Sequence, residues 1–566
     1  MPPPATFDLL IALYNARRYA ELESRARALT GQYPDYGPGW KLLGGALQMQ
    51  GKDALPAFQK AVQLLPNDAE AHYNLGIALK NTRRLDAASA SFRRVVELKP
   101  EFTEAHNNLG NTLKGLGKLD DAVASFRRAL HLKPDYTEAH GNLGIALREL
   151  GQLEDAVASC RRAAELKPDF AEAHNNLGIA LRDIGQFDAA LESYRRAMEL
   201  KPDFADAYRN MGIVLKDLGQ LDAALDSYRI AVKIKPDFAE AHSGLGLILL
   251  LTGQFSEGWK EYWWGIHTQE RLNYPVRPLS DNPLFTRRPG ELLPSDLQGM
   301  CVTILKEQGL GDELFFLRFA KELQKRGARV TYVGDPRLTS LIRRANWVDH
   351  VAEKGELIGD SHVVLFVSEL PLVLGMTTEA DIPPPVPLVV LPEKRQEIAL
   401  RLATHRKEIK PLIGITWRGG IAQVYKKHLF KEIPLELLAA ALRGKQATFV
   451  VVQRNPQPGE IAAFEFALGQ PVLDFSDLND DLEGMLALME QLDDYIGVSN
   501  TNMHLRASIG KTARVLVPHL HDYRWMEKGG SSPWFPGFTV YRKPPGDSWD
   551  VALKQLECHI LPDQIR

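Results

Sequence analysis

Three short runs carry residue types that could do chemistry, and each stands where a β-rich run gives way to a helical one. The first, Gln308-Gly309-Leu310-Gly311-Asp312-Glu313, follows the apolar run Cys301 to Leu305. Its glycines let backbone approach a ligand, and Asp312 falls near the start of a helix, where negative charge is favoured. The plain alternative is an aspartate that only stabilises the helix start, and Glu313, one step further in, is the lesser candidate. The second, Trp417-Arg418-Gly419-Gly420, follows Leu412 to Thr416 and leads into Tyr425-Lys426-Lys427-His428 and Lys431. Several cations beyond a strand end suit a phosphate-bearing ligand, although a basic loop is also ordinary solvated surface. The third, Gly497-Val498-Ser499-Asn500-Thr501-Asn502-Met503-His504-Leu505, passes from strand through a polar turn into a helix. Free backbone N–H groups and the helix dipole make such a turn an anion site, and an ordinary capped helix start is its alternative.

The elements that must position these runs begin near Met300. Short β-rich runs (CVTIL, ARVTYVG, HVVLFVS) alternate with helical ones, and after the proline-rich Ile382 to Pro387 the pattern restarts with PLIGITW, ATFVVVQR, DDYIGVS and ARVLVP. Alternation of this kind implies parallel βαβ units. It predicts two Rossmann-like domains, 298–400 and 401–566, facing a cleft, with ligands beyond the carboxyl ends of the strands. A stretch punctuated by Pro275, Pro278, Pro283, Pro289 and Pro294 predicts a linker over 267–297.

Upstream the chain keeps a beat. Pro66, Pro100, Pro134, Pro168, Pro202 and Pro236 stand 34 residues apart, and Asn74, Asn108, Asn142, Asn176 and Asn210 keep the same interval. Glycine recurs from Gly76 to Gly246, followed sixteen residues later by Phe92, Phe126, Tyr194, Tyr228 or Tyr262, with Cys160 the exception. This wording resembles the tetratricopeptide repeat over about residues 7–266, and a period of that length marks a helix-turn-helix solenoid. Trp40, Gly44, Phe58 and Pro66 fit one shorter copy, and Phe7 to Tyr33 a degenerate cap, giving about seven repeats in an all-α domain over 1–266. A mid-helix asparagine is a poor helix former, so a column of five suggests a task beyond folding. An amide carries both donor and acceptor and can pair with the backbone of an extended peptide; bonding to the neighbouring repeat is the alternative. A similar ladder in the large O-linked N-acetylglucosamine transferases favours the peptide. His72, His106, His140, His174 and His242 also keep the period and are expected to pack, not to bind metal, since neighbours one repeat apart are too widely spaced to share an ion.

Composition sets the outer bounds. At 566 residues the chain exceeds one core, and 45% hydrophobic with 25% charged residues reads as globular. A formal net charge of −3 gives no reason to invoke nucleic acid. The N-terminus lacks a signal peptide's pattern, and the most apolar stretch, His362 to Met376, is interrupted by Ser368, Glu369 and Pro371, so it is too broken to span a bilayer. Cys160, Cys301 and Cys558 lie far apart, against a disulfide framework or structural zinc. Cytoplasm is the expected compartment.

In order, the three runs resemble the heptosyltransferase-like branch of the GT-B glycosyltransferases, and more closely bacterial proteins that fuse tetratricopeptide repeats to that module. The resemblance covers about 298–566 and includes Asp522-Tyr523-Arg524-Trp525-Met526 and Ser532-Pro533-Trp534-Phe535-Pro536. It implies an α/β GT-B module acting on a nucleotide sugar, inverting and without a metal or other cofactor. Asp312 matches the catalytic aspartate. Gly309, Gly311, Trp417, Arg418, Gly419, Lys427, Lys431, Gln453 and the turn Asn500, Thr501, Asn502, Met503 and His504 fall on the donor and phosphate side. Thr501 and His504 match an Asp-Thr-x-x-x-His turn, with Asn500 where Asp is usual. With the asparagine column as acceptor track, the expected reaction is sugar transfer to Ser or Thr of a protein, flagellin being one candidate. The alternatives are a binding scaffold with a degenerate transferase module, and a glycolipid transferase.

Overall fold

The computed structural model describes residues 4–270, 291–307, 309–352, 361–405, 410–419, 432–519, 522–544 and 548–560. The chain divides into two compact units, Met1–Asn210 and Met211–Arg566.

The first unit is built of paired antiparallel helices: Ala69–Asn81 with Leu85–Leu98, Thr103–Gly115 with Leu119–Leu132, Thr137–Glu149 with Leu153–Leu166, and Ala171–Asp183 with Phe187–Leu200. The periodic glycine is what lets each pair close. A Cβ on Gly110 would stand 2.6 Å from the Phe126 ring, and one on Gly178 2.5 Å from Tyr194. Glycine and ring are thus one packing unit, and Phe92, Phe126 and Tyr194 are fully buried. The column of histidines fastens each first helix to the turn before it. His72, His106, His140 and His174 all place Nε2 2.9–3.0 Å from the carbonyl of the proline six residues earlier. In the same turns Lys99, Lys133 and Lys167 cover the rings of Phe102, Tyr136 and Phe170 at 4.8–5.4 Å. The packing role expected of the histidines is what the structure shows for these four.

The second unit opens with helical pairs and continues into two parallel sheets. Strands β1 (Cys301–Leu305), β2 (Arg329–Val333), β3 (His350–Val351) and β4 (Val363–Phe366) form the first, in the order β3-β2-β1-β4. Strands β5 (Leu412–Thr416), β6 (Thr448–Val451), β7 (Val472–Asp474), β8 (Asp494–Val498), β9 (Arg514–Val517) and β10 (Thr539–Arg542) form the second, in the order β10-β9-β8-β5-β6-β7. Every pairing is parallel, with Val302 opposite Val330 and Val363, and Ile413 opposite Phe449 and Asp494. Read from β5, the second order is the doubly wound 3-2-1-4-5-6 arrangement, and the first sheet is its four-strand half. All five residues of β5 are buried, as a strand covered on both faces requires. The strand order reverses between β1 and β4 and again between β5 and β8, which is where a crevice opens beyond the strand ends.

The repeat pattern runs on to Tyr262, past the division at residue 210. The cause is the helix Phe255–Glu270, which packs into the α/β part. Trp259, 1% exposed, meets Phe316, Tyr523 and Trp534 edge-on at 5.7–6.0 Å and directs its indole N–H to the Met376 sulfur at 3.3 Å. Trp263 donates to Glu369 at 2.9 Å, and Phe255 meets Trp534 at 5.6 Å. Trp259 is therefore a core residue of the second unit, while Trp263 is half-buried.

Candidate functional site

The first run folds as a strand–turn–helix corner. Gly309 caps the helix Leu310–Leu317, and Asp312, in its first turn, accepts the Gly309 N–H at 3.3 Å through Oδ2. That is the helix-stabilising role that the sequence allowed, and it leaves Oδ1 for another partner. Glu313 is 1% exposed and accepts hydrogen bonds from the Tyr332 hydroxyl and from the Asp335 N–H at 3.0 Å. Burial raises its pKa, so it is a pin between the helix and the end of β2.

The third run forms the corresponding corner after β8. Asn500 caps the helix Thr501–Ser508 and accepts the Asn502 N–H at 3.0 Å, while the Met503 N–H bonds the Asn500 carbonyl at 3.2 Å. Of the backbone N–H groups of this turn, those of Asn502 and Met503 are thus already used in capping, and Met503 has a fully buried side chain. The Tyr495 hydroxyl, itself 2.6 Å from Thr416 Oγ1, fixes the Asn500 and Asn502 side chains at 3.1 and 3.3 Å. The two corners meet. A Cβ on Gly311 would stand 3.2 Å from the His504 ring and 3.6 Å from the Thr501 Cα, so glycine is what allows the approach. His504 is 5% exposed and lies edge-on to Phe315 and Phe535.

A residue to which the sequence reading gave no role completes the site. Asp312 Oδ1 pairs with Arg524. Asp522 receives the Ser499 hydroxyl at 3.0 Å and the Arg524 N–H at 3.2 Å, and lies 3.5 Å from the Arg524 guanidinium. Burial alone would lower the Arg524 pKa, but Asp522 and Asp312 outweigh it and hold the pKa well above the usual value. Arg524 and Arg318 both face the Phe315 ring, at 4.5 and 4.8 Å. Arg318 is bonded only to the Phe315 and Trp534 carbonyls among the hydrogen bonds of the described residues; burial, then repulsion by Arg524, pushes its pKa down to about 9. The signal that would have found Arg524 is the Asp-x-Arg spacing at 522–524, just beyond β9.

The second run is different from its expected role. Trp417 is 1% exposed, stacked on Phe464 at 5.1 Å, and donates to Glu460 at 2.7 Å. Arg418 is forked onto the same Glu460 at 2.8 and 3.1 Å and reaches the Asn455 carbonyl at 3.2 Å. Gln453 is fully buried; Oε1 accepts the Trp417 and Arg418 N–H groups, and Nε2 donates to the Arg418 and Arg454 carbonyls. With every donor and acceptor engaged, Gln453 has no capacity for a nucleoside, and Trp417 and Arg418 hold the end of β5 in shape. Gly419 is half-buried at the end of the described segment, and Lys427 and Lys431 lie outside the described residues.

The asparagine column is largely engaged between repeats. Asn108 donates to the Tyr73 hydroxyl at 2.9 Å, Asn142 to Asn107 at 3.0 Å and Asn210 to Asn175 at 2.9 Å, each one repeat and one residue back. Asn210 is 1% exposed, which removes it from any groove. Opposite Asn176 the corresponding position is Gly141, with no side chain to receive it, and Asn176 and Asn74 remain half-buried. The expectation of five equivalent peptide contacts is corrected to an inter-repeat tie in three cases.

Among the described residues, no group of three or more His, Cys, Asp or Glu could hold a metal ion, and no helix is long and apolar enough to cross a membrane.

Comparison with known proteins bears on the helical part. Family descriptions of the tetratricopeptide repeat match residues 46–110, 107–170 and 159–192, and a TPR repeat description matches 180–219 and 214–253. Among solved structures, YrrB, described as a TPR protein with an unusual peptide-binding site, is 28% identical over 33% of this chain and 95% of its own, with a TM-score of 0.28. MamA is 26% identical over 29% of this chain and 97% of its own (TM-score 0.27). TTC0263, described as a thermophilic TPR protein in Thermus thermophilus, is 25% identical over 32% of this chain and 100% of its own (TM-score 0.29). No curated protein matches the chain. The N-terminal part is thus a solenoid of tetratricopeptide repeats, followed by an α/β part with two parallel sheets.

Proposed function

We propose that the α/β part transfers a sugar from a nucleotide-sugar donor to a Ser or Thr hydroxyl of a protein held by the solenoid, with inversion and without a metal. The observation that carries this reading is the meeting of the two helix-start corners, Gly309–Asp312 after β1 and Asn500–His504 after β8, at the carboxyl ends of strands from separate sheets. That is where doubly wound sheets bind ligands, and it sets a carboxylate beside a buried cation. In the reaction the acceptor oxygen attacks the anomeric carbon and its proton passes to Asp312, whose side chain is 28% exposed. The bond from the anomeric carbon to phosphate oxygen breaks, and its electron pair leaves with the nucleotide. Arg524 and the Thr501 amide are the groups best disposed to stabilise the departing charge, while Arg418 and Gln453 hold the end of β5 in shape.

A second reading is a binding scaffold whose transferase module is degenerate. It is favoured by Asn500 in place of the usual aspartate and by the full internal engagement of Arg418 and Gln453. Intact-mass analysis of candidate acceptors, flagellin first, with CMP-, ADP-, GDP- and UDP-linked sugars separates the two. A mass increase that disappears in Asp312→Asn supports transfer; neither mass increase nor donor hydrolysis with any sugar leaves the scaffold.

A further inference from the structure

Arg524 stands in the three-residue turn Tyr523–Trp525, and the residue that ends this turn is strained. Met526 has φ 58° and ψ 173°. A positive φ with an extended ψ is open almost only to glycine, so a methionine persists there only where its surroundings force it. Those surroundings belong to the last repeat. The Glu527 N–H, directed by this backbone, donates to the Leu251 carbonyl at 3.0 Å, at the end of the helix Ala239–Leu251. The Met526 methyl reaches Gly253, where a Cβ would stand 3.8 Å from it. The Tyr523 ring meets Trp259 and Tyr262 of the helix Phe255–Glu270, each at 5.7 Å. Beside the turn lies an open cavity of about 600 Å³ bordered by Thr252, Glu379, Met526, Ser531, Pro533 and Pro536, so the run after Arg524 has space to enter once it is let go.

We propose that Met526 is a positioning residue for Arg524, and that the end of the last repeat, Leu251 to Gly253, is the clamp that holds it in its strained form. Downstream the chain is anchored, with the Val540 N–H on the Gly530 carbonyl at 2.9 Å. A return of Met526 to negative φ has therefore to be taken up by the turn that carries Arg524, which draws the guanidinium off Asp312. The last repeat of the solenoid thereby sets how Arg524 is presented to the site. The proposal rests on the transfer reading above only for the kinetic arm of its test.

The test is a cycle of variants of the full chain, read by hydrogen–deuterium exchange. Glu527→Pro removes the N–H that reaches Leu251, and the extended ψ of Met526 suits a following proline. It should speed amide exchange over residues 522–532 about tenfold or more. Met526→Gly relieves the strain, so it should exchange as slowly as the parent and melt at the same temperature or higher. Met526→Gly/Glu527→Pro should return exchange towards the parent, because glycine holds a positive φ without a clamp. With a donor that the parent uses, Glu527→Pro should lower kcat about tenfold at unchanged donor KM, and the double variant should recover it. A parent that transfers no sugar ends the transfer reading and leaves exchange to decide the clamp. Unchanged exchange in Glu527→Pro, a lower melting temperature in Met526→Gly, or a double variant that fails to fold or exchanges as fast as Glu527→Pro each overturns the proposal. So does a rise in donor KM in place of the fall in kcat.

Discussion

The Asp312 carboxylate and the Arg524 guanidinium, 212 residues apart in sequence, form an ion pair that joins the corner after β1 to the segment after β9. Asp522 and Ser499 extend it to the corner after β8. Because Asp312 is held at both oxygens, by Arg524 and by the Gly309 N–H, its orientation is fixed before any ligand arrives.

Removing one partner of this pair leaves the other charge uncompensated. Arg524→Ala should cost about 2–4 kcal/mol in denaturant unfolding, and Arg524→Lys should recover little of it, because lysine lacks the fork and the stacking face set against Phe315. Asp312→Asn keeps the side-chain shape but offers one acceptor where the carboxylate offers two, so its NH2 must face either the Gly309 N–H or the Arg524 guanidinium; it should cost about 1–3 kcal/mol, while lowering sugar transfer about a hundredfold or more. A folded Asp312→Asn with unchanged transfer removes Asp312 from the mechanism.

Gly311→Ala tests the meeting of the corners. The added methyl, 3.2 Å from the His504 ring, forces that ring or the turn to give by a few tenths of an ångström. The expected outcome is a loss of transfer larger than the loss of stability, the latter about 1 kcal/mol. An unchanged rate with a large fall in melting temperature would make the contact a matter of packing alone.

Trp259→Ala should destabilise the second unit by about 3–5 kcal/mol, since it opens a cavity among Phe316, Tyr523 and Trp534 and strips the Met376 sulfur of its donor. Trp259→Phe should recover most of the loss. Chemical denaturation followed by tryptophan fluorescence reads both, and a loss below about 1 kcal/mol would deny this helix its place in the core.

The pH dependence follows from His242, stacked on Trp264 at 4.9 Å, with Nδ1 on Glu261 and Nε2 on the Pro236 carbonyl at 3.0 Å. Burial would lower its pKa, but Glu261 and the carbonyl outweigh burial and raise it. A raised folded-state pKa stabilises the fold fully below the unfolded value, about 6.5, and the gain is lost as pH rises through the folded value. The melting-temperature advantage of the parent over His242→Gln should therefore be largest near about pH 5.5 and shrink above neutrality. An advantage that grows with pH would contradict this assignment.

How much of this was legible in the sequence depended on how local each cause is. The 34-residue beat, the glycine–ring pairs and the β-rich runs are set by steric fit and hydrophobic period within a few tens of residues, so repeats, strands and the Gly309–Asp312 corner could be read directly. The column of asparagines was visible too, but its use was not: whether an amide faces a groove or the next repeat depends on what stands one repeat and one residue back, as Tyr73, Asn107 and Gly141 show. Arg418 and Gln453 looked like ligand contacts because their partner Glu460 becomes a neighbour only when the β5 and β6 ends close over it. The residue types and their local order were thus determined by sequence alone. Tertiary structure decided which polar groups remain available, because a donor or acceptor has a fixed capacity and only the fold determines who uses it first.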